Sequence, residues 1–150
     1  MRAVVQRVTS ARVRVGERVT GAIDRGLLVL LGVARDDTPD DAAYVTGKVR
    51  DMRVFESVAV KPMDRSVVDV GGAVLVVSQF TLYGDIRKGR RPAFDAAAGA
   101  DLARSLYESV VRELRDVPLT VETGEFQAMM QVELVNDGPV TVLIDSKKQF

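Results

Sequence analysis

Apolar and polar residues alternate through Ala3-Val4-Val5-Gln6-Arg7-Val8 and again at Val13, Val15 and Val19. That period of two predicts short, half-buried strands, with turns near Gly16 and Gly21. Leu27 to Val33 is apolar almost without a break after Gly26, which predicts a strand covered on both faces. The pattern then changes. Thr38-Pro39-Asp40-Asp41 supplies a hydroxyl cap, a proline for the first helical position and acids to face the helix dipole. A helix is expected to about Met52, with Ala42, Val45, Val49 and Met52 as its buried stripe. Strand-like segments follow at Val54-Phe55 and Val67 to Val70. Gly71-Gly72 then turns the chain into Ala73 to Val77, a second fully apolar strand, which runs straight into Ser78-Gln79-Phe80-Thr81-Leu82-Tyr83.

A second helix is expected over Asp101 to Arg115, its apolar face made by Leu102, Leu106, Val110, Val111 and Leu114. The remainder reads as strands near Leu119 to Glu122, Ala128 to Val135 and Val140 to Ile144. Asn136-Asp137-Gly138-Pro139 separates the last two. No repeat, linker or low-complexity stretch interrupts the 150 residues, so residues 1–150 read as one domain. Strand runs with two helices, rather than strict βαβ alternation, predict a mixed α/β fold: layered, barrel-like β-sheets with two main helices on one side.

Composition narrows the chemistry more than the fold. The chain has no histidine and no cysteine, which excludes a Ser-His-Asp triad, a Cys-His pair and an ordinary zinc site. Hydroxyls, carboxylates, lysine, backbone dipoles and groups brought by a substrate remain. No metal or organic cofactor is expected. No apolar run approaches the ~20 residues of a membrane span, and the opening segment lacks the continuous apolar stretch of a signal peptide, so a cytoplasmic protein is expected. Net charge is zero, yet Arg87, Lys88, Arg90 and Arg91 cluster around Gly89 and would suit phosphate contacts. The same cluster also reads as a solvated loop. Asp36, Asp37, Asp40 and Asp41 are better explained by a helix start than by a bound cation.

Two segments could carry chemistry. Ser78 to Tyr83 ends a buried strand with two hydroxyls, an amide and backbone N–H groups that can face a developing oxyanion; an ordinary strand end is the plainer reading. Asn136-Asp137-Gly138-Pro139 has the residues of a hairpin turn, although Gly-Pro just before an apolar strand fits a two-residue hairpin poorly. An X-Pro bond can be cis at modest cost, which would turn two carbonyl groups the same way.

Four stretches together carry a family resemblance: Met1-Arg2-Ala3-Val4-Val5-Gln6-Arg7-Val8, Gly26 to Val33, Ser78 to Tyr83 with Lys88-Gly89-Arg90-Arg91-Pro92, and Asn136 to Thr141. Over its whole length the chain resembles the D-aminoacyl-tRNA deacylases, which cleave the ester joining a D-amino acid to tRNA. The resemblance implies a homodimer with active sites at the interface and a cis Gly138-Pro139 bond. That dipeptide would enter the partner's site, bind the substrate's amino group and exclude an L side chain. Gln79, Phe80 and Thr81 are implied as the catalytic segment. Ser78, Phe126 and Met130 are implied to line the place of the 3′-terminal adenosine and the ester, with Lys88, Arg90 and Arg91 on tRNA phosphates.

Thr81 is a nucleophile candidate by type and place, but a threonine without a base is sluggish. The resemblance also allows the substrate's own ribose hydroxyl to assist, and that version suits a histidine-free chain. Two positions depart from the family: Pro62-Met63-Asp64 stands where Lys-Met-Asn is frequent, and Gln127 where Gly or Ala is common. Two other functions are open at this level: a non-catalytic module that binds the RNA end, and an editing hydrolase for an L-amino acid.

Overall fold

The computed structural model describes residues 1–150. Its strands are β1 (Arg2–Val15), β2 (Arg18–Ile23), β3 (Gly26–Gly32), β4 (Ala73–Ser78), β5 (Thr120–Thr123) and β6 (Gln131–Asp145). Helix α1 spans Pro39–Asp51 and α2 spans Ala100–Arg115. β1 is the central strand. Its first half pairs antiparallel with β3 and its second half with β2, while β6 runs antiparallel along its other edge. β4 and β5 extend the sheet from β3 as parallel neighbours, through the order β2-β1-β3-β4-β5.

Alternation within the apolar strands separates two cores. Leu27, Val29 and Leu31 of β3 and Val74 and Val76 of β4 pack beneath the helices, with Val45, Val49, Val110 and Leu114. Leu28, Leu75 and Val77 point the other way, joining Val8, Ala11, Val13 and Ile23 inside the curled sheet. Continuous apolar runs are what a strand buried on both faces requires. The two helices share one face, and the sheet curls into a nearly closed barrel, as expected. At the closing seam β2 meets β5, and a Cβ built on Gly21 would collide with the Thr123 carbonyl.

The start of α1 follows its local chemistry. Asp41 accepts the Thr38 backbone N–H at 2.8 Å and so caps α1, while Asp37 accepts from the Met1 amino group at 2.6 Å and from the Ala34 N–H at 2.7 Å. Burial raises the Asp41 pKa, but bonds from Ser146, the Thr38 backbone and Lys147 outweigh it and hold the group in its charged form.

Several local expectations fail for identifiable reasons. Gly21 is inside β2, opposite Val13, and not at a turn; the turns are at Gly16, with φ +61°, and between β2 and β3. Val67 to Val70 is a series of turns, although Val67 is buried. Its backbone bonds close locally, Val70 N–H donating to Ser66 O and Gly72 N–H to Val67 O, so burial there comes from a turn and not a ladder. Val54-Phe55 makes one isolated bridge, Phe55 with Arg65. Met52 caps the end of α1 and packs against the core, close to expectation, but Leu102 is exposed while Tyr107 takes a buried place on α2. The last two expected strands are one: β6 begins at Gln131, not Ala128, and continues through Asn136 to Pro139.

Closure at Gly21 gives a direct test. Gly21→Ala should lower unfolding stability by about 1–3 kcal/mol, the usual cost of overpacking, measured by denaturant titration. Unchanged stability would mean that β2 and β5 do not approach so closely.

Candidate active site

β4 delivers the first wall of the site. Its register with β3 ends at Leu31 opposite Ser78, and the Gln79 N–H then donates to the Leu31 carbonyl at 2.8 Å. Gly32 leaves room for this: a Cβ there would press on Leu82 Cβ and the Gln79 carbonyl. Phe80 to Tyr83 form one 3-10 turn. Its bonds begin with Leu82 N–H donating to Gln79 O, at 3.3 Å. The Phe80 and Thr81 amides precede that first donor and are left without a backbone acceptor. Two adjacent free N–H groups at an exposed turn can receive an oxyanion.

The second wall comes from the segment between β5 and β6. Gly124 N–H donates to the Val76 carbonyl at 3.1 Å, tying this segment to β4. Gly124 also admits Met130, whose sulfur would stand 2.8 Å from a Cβ at that position. Phe126 packs on Tyr107, with ring centroids 5.9 Å apart. Gln127 has φ +63°, a left-handed conformation that favours glycine, so a side chain here has a backbone cost that glycine would not have.

Between the walls is a cavity of about 740 Å³. Ser78, Gln79, Phe80, Thr81, Phe126 and Met130 all line it, together with Val77, Ala98, Ala100, Ala103, Gln127, Ala128, Met129 and Val132. Six residues named from sequence therefore meet in one place. The alanines were not anticipated; nothing in their type marks them, and only the fold brings α2 to this rim. Phe80 is 56% exposed and packs edge-on against Phe94 at 5.0 Å.

None of the lining residues is ionisable. The Thr81 hydroxyl accepts from the Gln79 side-chain amide at 3.1 Å, a donor that cannot take its proton. Tyr107, behind Phe126, donates its hydroxyl to Val76 O at 2.9 Å, and burial pushes its pKa up to about 12. The cavity holds hydroxyls, amides and fixed dipoles, but no side-chain base.

Gly138 and Pro139 are elsewhere on the chain and do not line this cavity. Their peptide bond is cis. The register explains their form: Gln6 faces Thr141 and Val8 faces Asn136, so one residue of β1 opposes four of β6. Asp137 to Val140 are thus a wide bulge thrown out from a continuous strand. Arg7 braces it through the Asp137 carbonyl at 3.2 Å and the Asp137 carboxylate at 3.2 Å, while bonding Val54 O at 2.6 Å. The Asn136 side chain donates to Thr141 Oγ1 at 3.1 Å and accepts from the Val140 N–H at 3.3 Å. Asp137, Gly138 and Pro139 are exposed. Arg7 and Asn136 were visible in the sequence motifs, but their bracing role depends on a register that motifs do not give.

Lys88, Arg90 and Arg91 also stand apart from the cavity lining. Asp85 and Ala93 close the base of their loop with two backbone bonds, at 2.8 and 2.9 Å. Arg87 is paired with Asp85 at 2.6 Å, whereas Lys88, Arg90 and Arg91 are exposed. No helix is long and apolar enough to cross a membrane.

If Asn136 holds the bulge, Asn136→Ala should speed amide hydrogen exchange at Val140 roughly fivefold or more, from loss of one ~1 kcal/mol bond. Wild-type protection in that variant would show that the bulge is held by other contacts.

Known proteins resemble this chain in sequence and in fold. Residues 4–145 match the model of the D-Tyr-tRNA(Tyr) deacylase family. A protein of Koribacter versatilis called D-aminoacyl-tRNA deacylase is 62% identical over 150 residues, covering all of both chains. A solved structure called c-Myc DNA Unwinding Element Binding Protein is 41% identical, with a TM-score of 0.92 over 97% of this chain and 98% of that one. Another, a probable eukaryotic D-amino acid tRNA deacylase, has a TM-score of 0.79 at 17% identity, covering 95% and 97%, and shows the shared fold. The chain belongs to the D-Tyr-tRNA(Tyr) deacylase family.

Proposed function

We propose that this chain, a hydrolase of the D-aminoacyl-tRNA deacylase type, places the 3′-terminal adenosine and its aminoacyl ester in the cavity between Ser78–Thr81 and Phe126–Met130. The observation that carries this reading is the pairing of two unpartnered amides, Phe80 and Thr81, with a cavity that has no ionisable wall. A water molecule attacks the ester carbonyl carbon; as the new C–O bond forms, the carbonyl oxygen gains negative charge, and those amides receive it. The 2′-hydroxyl beside the ester accepts the water's proton and passes its own to the 3′-oxygen, a relay in place of the side-chain base that the cavity lacks. The acyl–oxygen bond then breaks, releasing the free amino acid and leaving a 3′-hydroxyl on the tRNA. Positioning and backbone donors can each supply several kcal/mol of barrier reduction.

Selection for D-residues rests on the family resemblance. In a homodimer, the partner's Gly138-Pro139 bulge would accept the substrate's ammonium and fill the space of an L side chain. Its exposure and its absence from the same chain's cavity lining support an action in trans. Lys88, Arg90 and Arg91 would follow the tRNA phosphates. The second reading, nucleic-acid binding without catalysis, is favoured by the name of the 41% identical solved structure and by the same exposed cations.

One assay separates these readings: hydrolysis of D-Tyr-, D-Asp-, Gly- and L-Ala-tRNA, by the wild type and by Thr81→Ala. Exclusion predicts similar rates for both D-residues, cleavage of glycyl-tRNA and survival of L-Ala-tRNA, because a clash rejects more strongly than the ~1–3 kcal/mol of a methylene fit. Thr81→Ala should stay within about tenfold of the wild type, whereas loss of a nucleophile would cost on the order of 10⁴ or more. No ester loss would favour the binding module. Resistance of glycyl-tRNA, preference for one D side chain, or cleavage of the L-substrate would contradict selection by exclusion.

A further inference from the structure

We propose that Arg104 binds the phosphate on the 5′ side of the terminal adenosine, and so fixes the direction in which the tRNA end leaves the cavity. The proposal rests on the reading that this cavity holds the adenosine.

Arg104 is an exposed residue of α2, one position beyond Ala103 of the cavity wall. Helical spacing offers it two carboxylates, Asp101 at i−3 and Glu108 at i+4, where ion pairs ordinarily form. It pairs with neither. Its guanidinium lies over the Phe126 ring instead, with the central carbon 4.5 Å from the ring centroid. Glu125, the acid beside Phe126 in sequence, is engaged by Arg18 at 3.2 Å. A planar cation is therefore held against an aromatic wall of the cavity, with its five N–H donors unspent on any carboxylate. That is a geometry suited to a phosphate.

The direction of the substrate places a phosphate there. The adenosine's 3′ side carries the ester, which must reach the Phe80 and Thr81 amides. Its 5′ side then leads away from that wall, towards the opposite one formed by Phe126 and the start of α2. The first group beyond the sugar on that side is the phosphodiester to the preceding nucleotide. Neither Arg104 nor the Lys88, Arg90 and Arg91 loop lines the cavity itself, but Arg104 stacks on Phe126, which does, so the loop's contacts would be with phosphates further along.

The test uses adenosine and adenosine 5′-monophosphate as probes, titrated calorimetrically at low salt into the wild type, Arg104→Ala, Arg104→Lys and Arg90→Ala/Arg91→Ala. The wild type should bind the monophosphate about tenfold more tightly than adenosine, the size of one charge-assisted contact. Arg104→Ala should bring the two affinities together, Arg104→Lys should restore part of the difference, and the double variant should keep it. A wild-type ratio in Arg104→Ala overturns the proposal, as does a ratio lost only in the double variant. If the wild type binds neither compound, the adenosine reading itself fails and Arg104 falls with it. If it binds both equally, adenosine stands and Arg104 alone is wrong.

Discussion

The parallel pairing of β3 with β4 is the constraint on which the site depends. Both strands are apolar along their length because both faces are covered, by helices on one side and the barrel interior on the other. Such a pair has little freedom to slip, since a shift of one residue would exchange the two cores. Its last contacts, Leu31 with Ser78 and then Gln79 N–H to Leu31 O, fix where the chain leaves the sheet. The position of Phe80 and Thr81 is thus set by the core of the protein and not by a loose loop. On the proposed reading, such rigidity would let their backbone dipoles act without reorganising during reaction.

If hydrolysis takes place in this cavity, that rigidity matters, because the lining offers no ionisable side chain to drive it. A site with histidine or a carboxylate can move a proton through its own side chains. Here the polar wall groups are hydroxyls and amides, and the nearby Tyr107 is held protonated by burial. On the proposed reading, charge stabilisation and placement remain to the protein, and proton relay passes to the ribose hydroxyl. The same economy would apply to selection: a bulge that occupies space would need no pocket complementary to each D side chain. Arg7 and Asn136 hold that bulge from within its own strand pair.

Much of this was legible before any coordinates. Apolar runs at Leu27–Val33 and Ala73–Val77 marked the doubly covered strands, and Thr38-Pro39 marked the helix start. The first motif named Ser78, Gln79, Phe80 and Thr81 and the resemblance added Phe126 and Met130, and the fold gathers all six round one cavity. What stayed hidden depends on pairing across distance. Gly21 looks like a turn because its role, closing β2 onto β5, involves Thr123. Asn136 to Pro139 has the composition of a hairpin, yet β1 pairs on both sides of it and makes it a bulge within one strand. Val67 reads as part of a strand because burial alone, without a ladder, leaves the same apolar signature. Arg104 looks like any surface arginine until Phe126 comes beneath it.

The central claim is that the substrate's hydroxyl, and not a side chain of this protein, works beside the backbone amides. The most direct measurement is single-turnover hydrolysis of two D-Tyr-tRNAs, each acylated at the 3′-oxygen, one ending in adenosine and the other in 2′-deoxyadenosine. Enzyme is kept in saturating excess so that binding does not limit the rate. The account predicts that the deoxy substrate binds but is cleaved more slowly by about 10² or more, the scale of general acid–base assistance. Equal rates on the two substrates would contradict it and return the decisive group to the protein.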